Sequence, residues 1–597
     1  MKTAYFSFAC LLGLTAAAAD YVWTGALDAG FSNPANWLVG GEIPASAPAN
    51  DDSASGDVVI LPETVSANHP SLPSDWNLKE LRFLGSNWVF ATGAAILKVG
   101  RFGNGVATAN AGGTNVFSGN LRLGSVDTPG PGWDIASGGT LRVTGTVGRY
   151  AQTSGGGTIR KRGGGTLELE TGTSTLNSLT VEGGVVRVIS GVGTLDANKS
   201  LTVSAGVYDL NGNAVSISGL GGTANGTVTN GASGTVTLST SFGGAATITP
   251  FISGALHLSW GHNGTPRTLT FTNGGNTYTG RTYINSGITA VLRASSPLNA
   301  PGVFGASEEP VTLGTYTSAG GGTVGRVAAI LTDGNHTVGR HITVGTDKGR
   351  HILGATAAQN GVSTFSGNVL VGLGALYNGD NPHLEIEVGA NAWVDFTGNI
   401  TNALGATPNF ALRDGRVYMF GPGVVRFTGA NTYKGGTIIS NGTLLACSPT
   451  ALGTAGAEVA GGTLGGTCAV AGPVSVLSGA RLTAGETNTV GTMTFNGGLT
   501  LAAGSALTFQ IAGVTADLLN VAGGTFALTA PVSVALETLA AADATEYPLL
   551  DWSAATGSAQ LSDFTLVSGD DTFKLVLRDN VLYARKLVLP GTVIRIF

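Results

Sequence analysis

The sequence predicts an all-β solenoid in which short strands stack coil upon coil, and three observations lead to this fold class. Glycine makes up 95 of the 597 residues and proline only 21, which indicates frequent turns without a collagen or proline-rich pattern. Short β-type runs alternate apolar and polar residues, as in 384–388 (LEIEV). A unit that joins two such runs recurs along the chain, and repetition on this scale is typical of solenoids.

The clearest copy of this unit is 427–445 (FTGANTYKGGTIISNGTLL). Its two apolar runs favour a pleated, half-buried surface, and Asn441-Gly442 between them can adopt the positive φ that a turn needs. A looser copy occupies 271–292 and a more degraded one 163–188. Because one unit cannot bury its apolar face alone, we expect coils of about 20–25 residues to stack around one continuous core.

The chain begins with a segment typical of a secretory signal peptide. Residues 1–19 combine Lys2, an apolar stretch and a small-residue end. Residues 20–57 differ in composition from the repeats, and two aromatic residues, Trp23 and Trp37, lie on either side of turn residues. We interpret this second segment as an N-terminal cap that covers the end of the solenoid. A sugar-stacking site on the two tryptophans is the alternative.

The rest of the chain is expected to be one elongated body. Residues 58–500 carry the predicted β-helix, and residues 501–597 keep strand alternation and are interpreted as its C-terminal end and cap. After the signal segment, no stretch approaches the roughly 18 consecutive apolar residues that a membrane helix needs. We therefore predict no transmembrane helix.

Charge narrows the range of partners. Only 11% of the residues are charged, and the formal net charge is −6. No basic cluster is present to attract a phosphate backbone, so the sequence predicts no nucleic-acid partner. A net charge this small exerts little long-range attraction on charged molecules, which is compatible with cell-surface glycans or surface proteins as partners.

The search for catalytic chemistry leads to one strand. His383, Glu385 and Glu387 would share one strand face, where paired carboxylates could act as acid and base or bind calcium. Because the residues between them fill the inward face, we favour an ordinary outward polar face. The seven histidines lack metal-site spacing, and the glycine runs lack the Lys-Ser/Thr of a phosphate loop. We therefore predict no catalytic residue, no metal and no cofactor.

Two cysteines, Cys447 and Cys468, remain once the signal segment is set aside, and 21 residues separate them. This spacing is close to one coil, so the two side chains could stack and form a disulfide in an exported protein. Two buried free thiols are the alternative, because stacked side chains about 4.8 Å apart are not always oriented for bonding.

The best copy of the unit resembles the autotransporter-associated β-strand repeat, whose usual form is Gly-x-Asn-x-Tyr-x-Gly-Gly-Thr-x-Ile-x-x-Gly-Thr-Leu. The matching residues are Gly429, Asn431, Tyr433, Gly435, Gly436, Thr437, Ile439, Gly442, Thr443 and Leu444. The upstream copy keeps Asn276, Tyr278 and Gly280 but has Arg281 and Ile288 where the family has glycine and threonine. The repeats are best preserved at 271–292 and 424–453.

The resemblance implies a right-handed parallel β-helix that is secreted or displayed on a bacterial outer surface, with the repeat residues in structural roles. Better-known members end in an outer-membrane barrel of roughly a dozen strands. Only 46 residues follow Asp551, so we expect this chain not to encode its own translocator.

Our functional hypothesis is a non-catalytic passenger-like protein with a surface-structural or adhesive role. The alternatives are a secreted β-helical carbohydrate-active enzyme, either a polysaccharide lyase or a glycosidase, and a surface-layer component. An enzyme should gather acidic, basic and aromatic residues from several coils into one groove, whereas an adhesin should present a diffuse polar face. A surface-layer component should self-associate.

Overall fold

The computed structural model of the chain describes most of the sequence. The described residues are 19–51, 56–100, 105–108, 112–123, 132–149, 159–170, 178–189, 200–262, 264–314, 327–345, 349–356, 361–371, 383–402, 415–568 and 572–587. The predicted signal peptide, apart from Ala19, lies outside them. Contacts between Cα atoms divide the chain into two compact units, Met1–Ser241 and Phe242–Phe597.

Regular structure in the described residues is β-strand, apart from two short 3-10 turns at Pro34–Asn36 and Leu561–Asp563. The strands of the first unit are β1 (Asp20–Trp23), β2 (Trp37–Leu38), β3 (Val58–Leu61), β4 (Trp76–Leu78), β5 (Glu80–Phe83), β6 (Val89–Val99), β7 (Gly105–Thr108), β8 (Thr114–Leu123), β9 (Gly132–Ile135), β10 (Thr140–Thr144), β11 (Val147–Arg149), β12 (Ile159–Arg162), β13 (Thr166–Glu170), β14 (Ser178–Val181), β15 (Val185–Val188), β16 (Ser200–Val203), β17 (Gly206–Asp209), β18 (Val215–Ile217), β19 (Gly219–Gly222), β20 (Gly226–Asn230) and β21 (Val236–Phe242).

The strands of the second unit are shorter on average and continue the same pattern. They are β22 (Ala246–Ile248), β23 (Phe251–Gly254), β24 (Leu256–His262), β25 (Arg267–Phe271), β26 (Thr282–Ile284), β27 (Ile288–Leu292), β28 (Val311–Leu313), β29 (Val327–Thr332), β30 (Thr337–Val338), β31 (Ile342–Val344), β32 (Arg350–Ala355), β33 (Val362–Phe365), β34 (Val369–Val371), β35 (Leu384–Val388), β36 (Trp393–Phe396), β37 (Ile400–Asn402), β38 (Val417–Phe420), β39 (Val424–Phe427), β40 (Thr437–Ile439), β41 (Thr443–Ala446), β42 (Ala457–Val459), β43 (Thr463–Gly466), β44 (Ala469–Val470), β45 (Val474–Val476), β46 (Arg481–Thr483), β47 (Thr492–Phe495), β48 (Leu499–Leu501), β49 (Ala506–Gly513), β50 (Thr515–Ala516), β51 (Leu518–Val521), β52 (Phe526–Leu528), β53 (Val532–Ala542), β54 (Glu546–Asp551), β55 (Phe564–Ser568), β56 (Phe573–Arg578) and β57 (Val581–Lys586).

In the first unit each coil contributes a strand to each of two long sheets. One sheet has the order β19-β16-β14-β12-β9-β7-β5-β3-β1-β2, and the other contains β20-β17-β15-β13-β10-β8-β6-β4. Apart from the antiparallel pair β1 and β2, neighbours on these paths run parallel. Leu141, Leu167 and Val186 stack in register on successive coils and are buried. Such inward ladders form the core, because removing apolar surface from water stabilises the stacked coils.

The second unit follows the same plan. Its longest sheet is β22-β25-β27-β29-β32-β35-β38-β40-β42-β45-β48-β52, and beside it lie β30-β33-β36-β39-β41-β43-β46-β49-β53-β55 and β24-β26-β28-β31-β34-β37. Pairing within these sheets is parallel. The last sheet, β44-β47-β51-β54-β57-β56, ends in antiparallel strands. The predicted all-β parallel β-helix is confirmed.

Coil length varies more than the sequence predicts. Ile386, Met419, Ile439 and Val459 stack in register on successive strands of the longest sheet. Their numbers give coils of 33 (419 − 386), 20 (439 − 419) and 20 (459 − 439) residues. The expected 20–25 residues per coil is therefore wrong for the first of these, because the register of the ladder does not fix how many residues connect one strand to the next.

The tryptophans at the start of the chain belong to the core. Trp23 and Trp37 are both fully buried, with ring centroids 4.8 Å apart in an edge-to-face arrangement. The Trp23 indole donates to the Asn68 carbonyl at 2.9 Å, and that of Trp37 donates to the Phe31 carbonyl at 2.8 Å. Neither ring leaves an exposed face on which a sugar could stack.

Candidate functional site

The two asparagines that mark the repeat occupy equivalent buried positions. The side-chain oxygen of Asn431 accepts from the Ile400 amide at 2.8 Å, and its amide group donates to the Ala451 carbonyl at 2.6 Å. Asn276 accepts from the Ile252 amide at 2.9 Å and donates to the Val303 carbonyl at 3.1 Å. Asn276 therefore links backbone 24 residues before it to backbone 27 residues after it. Asn431 links backbone 31 residues before it to backbone 20 residues after it.

The repeat tyrosines are equivalent in the same way. The hydroxyl oxygen of Tyr433 lies 2.6 Å from Oγ1 of Thr437, and that of Tyr278 lies 2.7 Å from Oγ1 of Thr282. Both rings are fully buried. Burial raises the pKa of Tyr278 to about 12 and also raises the pKa of Tyr433. These phenols are structural groups, since neither can reach a ligand in solvent.

Two further glycines belong to the repeat, and sequence reasoning missed them. Gly305 and Gly453 have φ of +73° and +75°, and a Cβ on either would lie within 2.4 Å of the carbonyl oxygen of Tyr278 or Tyr433. The sequence gives only a partial signal, because each directly follows an apolar residue, Phe304 or Leu452, but lies at a different distance from a Ser-Pro pair, eight residues after Pro297 and four after Pro449. They let the chain pass close beside the repeat tyrosine.

The remaining repeat residues form turns and strands. Gly280 packs where a Cβ would lie 2.0 Å from the Leu256 carbonyl oxygen, and Gly442 has φ of +72° at the turn between β40 and β41. Thr443 opens β41 and pairs in register with Val424 and Thr463. Gly435 and Gly436 immediately precede β40.

Cys447 and Cys468 are free thiols in the structure. The register of β41 with β43 pairs Ala446 with Gly466. Cys447 lies one position after Ala446, whereas Cys468 lies two positions after Gly466. The two cysteines are therefore offset by one residue in the register. Burial raises the pKa of both thiols to about 12, which makes them poor nucleophiles at neutral pH.

The strand that sequence analysis selected, β35, lies in the longest sheet of the second unit. Leu384, Ile386 and Val388 are fully buried, as the alternation predicts. Glu385 and Glu387 alternate with them on the outward side, opposite Tyr418 and Phe420 of β38. The structure therefore places the candidate residues beside two aromatic side chains that sequence analysis did not select.

We call this surface the outer patch and define it as Arg350, His383, Glu385, Glu387, Tyr418 and Phe420. The Arg350 Nε donates to both oxygens of Glu385, at 3.0 and 2.7 Å, and the guanidinium carbon lies 5.9 Å from the centre of the Phe420 ring. The His383 ring meets Tyr418 edge to face at 5.0 Å. Tyr418 and Phe420 lie 6.1 Å apart with their planes 13° from parallel.

A shallow cleft of about 270 Å³ continues the outer patch onto the following coils. Its lining includes Arg416, Ile438, Glu458 and the backbone of Gly436 and Gly456. Ile438 stands in register between Tyr418 and Glu458. Acidic, basic and aromatic side chains from consecutive coils thus share one outward face. Sequence analysis could not group them, because the stacked residues are far apart in the chain.

A second polar cluster, on the sheet that contains β36 and β39, ties coils together. Arg426 donates through Nε to Asp395 at 3.1 Å, through one terminal nitrogen to the second Asp395 oxygen, and through the other to Glu486 at 3.3 Å. The Trp393 indole donates to Asp395 at 2.8 Å, and its ring lies 5.7 Å from the Arg426 guanidinium carbon. Hydrogen bonding to Asp395 raises the pKa of Arg426. We call these four residues the latch.

Within the described residues, no group of three or more His, Cys, Asp or Glu side chains could hold a metal ion. Nor does that part of the chain contain a helix that is long and apolar enough to cross a membrane.

The passenger-associated-transport-repeat family model matches three segments, 159–188, 267–291 and 419–446. These overlap the three copies that the sequence shows, so the predicted resemblance is confirmed. No curated protein sequence is significantly similar to this chain. Among solved structures, the crystal structure of the Haemophilus influenzae Hap adhesin aligns with 96% of this chain and 71% of that chain, at 12% identity and a TM-score of 0.32. A likeness this weak bears on neither ligand nor activity.

Proposed function

We propose that this chain is an exported, passenger-like β-helical protein with a surface-structural or adhesive role. One observation carries the proposal. The residues that define the repeat are used to join and turn coils, as Asn431 and Tyr433 do. The repeat therefore supplies a scaffold, and function belongs to the outward sheet faces. The three family matches and the signal-like segment 1–19 support export.

The charges of the outer patch favour binding over catalysis. Both oxygens of Glu385 accept from Arg350, so this carboxylate is already neutralised by a guanidinium group. A general acid and base pair would need two carboxylates free to exchange protons. Glu387 and Glu458 make no hydrogen bond or ion pair within the described residues. Glu458 is in register with Glu385 but three strands away, about 14 Å at ~4.8 Å per strand, which is farther than the ~5–9.5 Å between the carboxyl groups of a glycosidase pair.

A secreted carbohydrate-active enzyme is the second candidate. The observation in its favour is that acidic, basic and aromatic side chains from consecutive coils share the outer patch and the cleft. The sequence analysis expects an enzyme to gather such residues into one groove. Here they lie together, but the patch is on an open sheet face.

Location tests the proposed role. The native host would be separated into cytoplasmic, membrane and medium fractions, and intact cells would be treated with protease. We expect mature chain beginning at Asp20 in the medium or at the surface, where protease degrades it without cell lysis. Recovery of the intact chain, residues 1–597, from the cytoplasm alone would rule out an exported role.

A further inference from the structure

We infer that the outer patch and its adjoining cleft form a binding site for a neutral glycan. The inference deepens the proposed function and rests on it, because an exported surface protein meets glycans outside the cell. The ligand is a sugar chain without charged substituents, and its contacts are Tyr418, Phe420, Glu387, Arg416 and Glu458.

The aromatic strip supplies the apolar contact. Tyr418 and Phe420 stand two residues apart on β38, so both side chains point outward, and both rings are partly exposed. Their planes lie 13° from parallel with the centroids 6.1 Å apart, so the two rings stack on each other and present one apolar contact surface to solvent. Aromatic side chains of this kind bind molecules that have one apolar face and a polar edge. A pyranose ring, with its C–H face and its hydroxyl rim, has this character.

The rim supplies polar groups whose hydrogen-bonding capacity is unused within the described residues, although the Glu387 charge also acts on Arg350. Glu387, Arg416 and Glu458 are exposed, and their side chains make no hydrogen bond or ion pair within the described part of the chain. Carboxylates only accept hydrogen bonds and guanidinium groups only donate them. Sugar hydroxyls do both, so different hydroxyls along a sugar chain can satisfy the acids and the guanidinium at the same time.

The mixture of charges selects a neutral ligand. The Arg350 and Glu385 charges cancel each other, which leaves two acids and one base at the rim. A polyanion would meet Glu387 and Glu458 and suffer like-charge repulsion. A polycation would be attracted by these two acids but repelled by Arg416. A neutral polyhydroxyl chain meets no such penalty.

The cleft determines how much of the ligand is enclosed. Its volume of about 270 Å³ is small, at the lower limit of what buries a drug-sized molecule. The backbone of Gly436 and Gly456 lines it beside Arg416, Ile438 and Glu458. A single sugar unit can enter the cleft while its neighbour in the chain packs against the exposed parts of Tyr418 and Phe420.

The test is a glycan array probed with residues 20–597 and with matched variants. Tyr418→Ala removes one of the two aromatic side chains. Glu458→Gln removes one rim charge while keeping the side-chain size, and Arg416→Gln removes the rim guanidinium and shortens the side chain. The control variants are Glu537→Gln and Arg481→Gln, which alter exposed residues on another sheet. Circular dichroism and thermal melting establish that each variant is folded.

We expect at least one neutral glycan to bind the unmodified protein. Its affinity should be at least tenfold lower for Tyr418→Ala and at least threefold lower for each rim variant, and the control variants should bind it as the unmodified protein does. Binding of anionic glycans only, or binding that the patch variants leave intact, overturns the site. The cell-fractionation result is independent of these outcomes. A surface-located protein whose glycan binding ignores the patch refutes the site alone, whereas a cytoplasmic protein refutes the proposed function.

Discussion

At the residue scale, one asparagine in each clear repeat satisfies backbone groups on both sides of its own coil. Sequence analysis could select Asn276 and Asn431 because the same residue recurs in the same short pattern. It could not select their partners, such as Ile400 and Ala451, which differ in type and distance between the repeats. The recurring sequence pattern therefore identifies the asparagine whose side chain forms hydrogen bonds. The backbone groups that it bonds to are identified only by the structure.

Replacing Asn431 should therefore destabilise the second unit. Asn431→Ala leaves the Ile400 amide and the Ala451 carbonyl without their side-chain partner in the interior, and we expect the free energy of unfolding to fall by about 2–3 kcal/mol. Urea unfolding followed by circular dichroism measures the loss. The matched control is Asn441→Ala, whose exposed side chain bonds only the next amide, Gly442. Equal losses in the two variants would refute the bridging role.

A buried lysine gives the first unit a pH dependence. Lys161 lies on β12 and is fully buried, and its Nζ donates to the carbonyls of Arg162, Gly163 and Gly183 at 2.7, 2.9 and 3.1 Å. Burial lowers the pKa of Lys161 from 10.5 to about 8, with Asp134 opposing the shift. The amine is therefore easier to deprotonate in the folded protein than in the unfolded chain.

The sign of the effect follows from this lowered pKa. Between pH 8 and 10.5 the unfolded chain holds the Lys161 proton that the folded protein has released, so this group makes stability rise with pH. Lys161→Met should remove that part of the rise, and Lys79→Met should leave it in place. Thermal melting at half-unit pH steps measures both. An unchanged slope in Lys161→Met would show that the amine does not titrate in this range.

At the element scale, the alternation of β35 predicted both of its faces, with Ile386 inside and Glu387 outside. Period-two patterns fix which side chains point inward, because a shift of one residue would reverse the whole strand. They say nothing about which outward residues meet. The latch joins Arg426 to Glu486, 60 residues away, and no periodic signal relates the two.

The latch should control the opening of one small hairpin. Glu486 and Thr489 exchange backbone hydrogen bonds at 3.1 and 3.0 Å, and Arg426 holds Glu486 from the side. Arg426→Lys keeps the charge but loses the fork that reaches Asp395 and Glu486 together. We expect hydrogen exchange of these two amides to accelerate about tenfold, equivalent to ~1.4 kcal/mol. Arg481→Lys, on the same sheet, should leave the rate unchanged, and equal rates in both variants would argue against the latch.

The one-residue offset of Cys447 and Cys468 leads to a simple expectation. If both remain thiols, the mature chain unfolded in denaturant without reductant should take up two alkyl groups, seen as a mass increase. A disulfide would prevent alkylation of both. Zero uptake, restored to two by reductant, would show that the coils bring the sulfurs together after all.

At the scale of the whole molecule, the fold class could be predicted because stacking makes the same demand at every coil. Each coil must pair its backbone and bury one face, so glycine-rich turns and alternating strands recur from end to end. Stacking does not fix the number of residues per coil, which changes from 33 to 20 between neighbouring coils. The outer patch depends on that length, since it sets which outward residues become neighbours.

We propose that this protein presents a binding surface and does not cleave what it binds. The most direct measurement incubates residues 20–597 with neutral and acidic polysaccharides and determines bound polymer, chain length and new reducing or unsaturated ends together. The account predicts that a neutral polysaccharide binds and is recovered at its original length. Shortened chains, produced by the intact protein and lost in Glu387→Gln, would contradict the account and make the outer patch an active site.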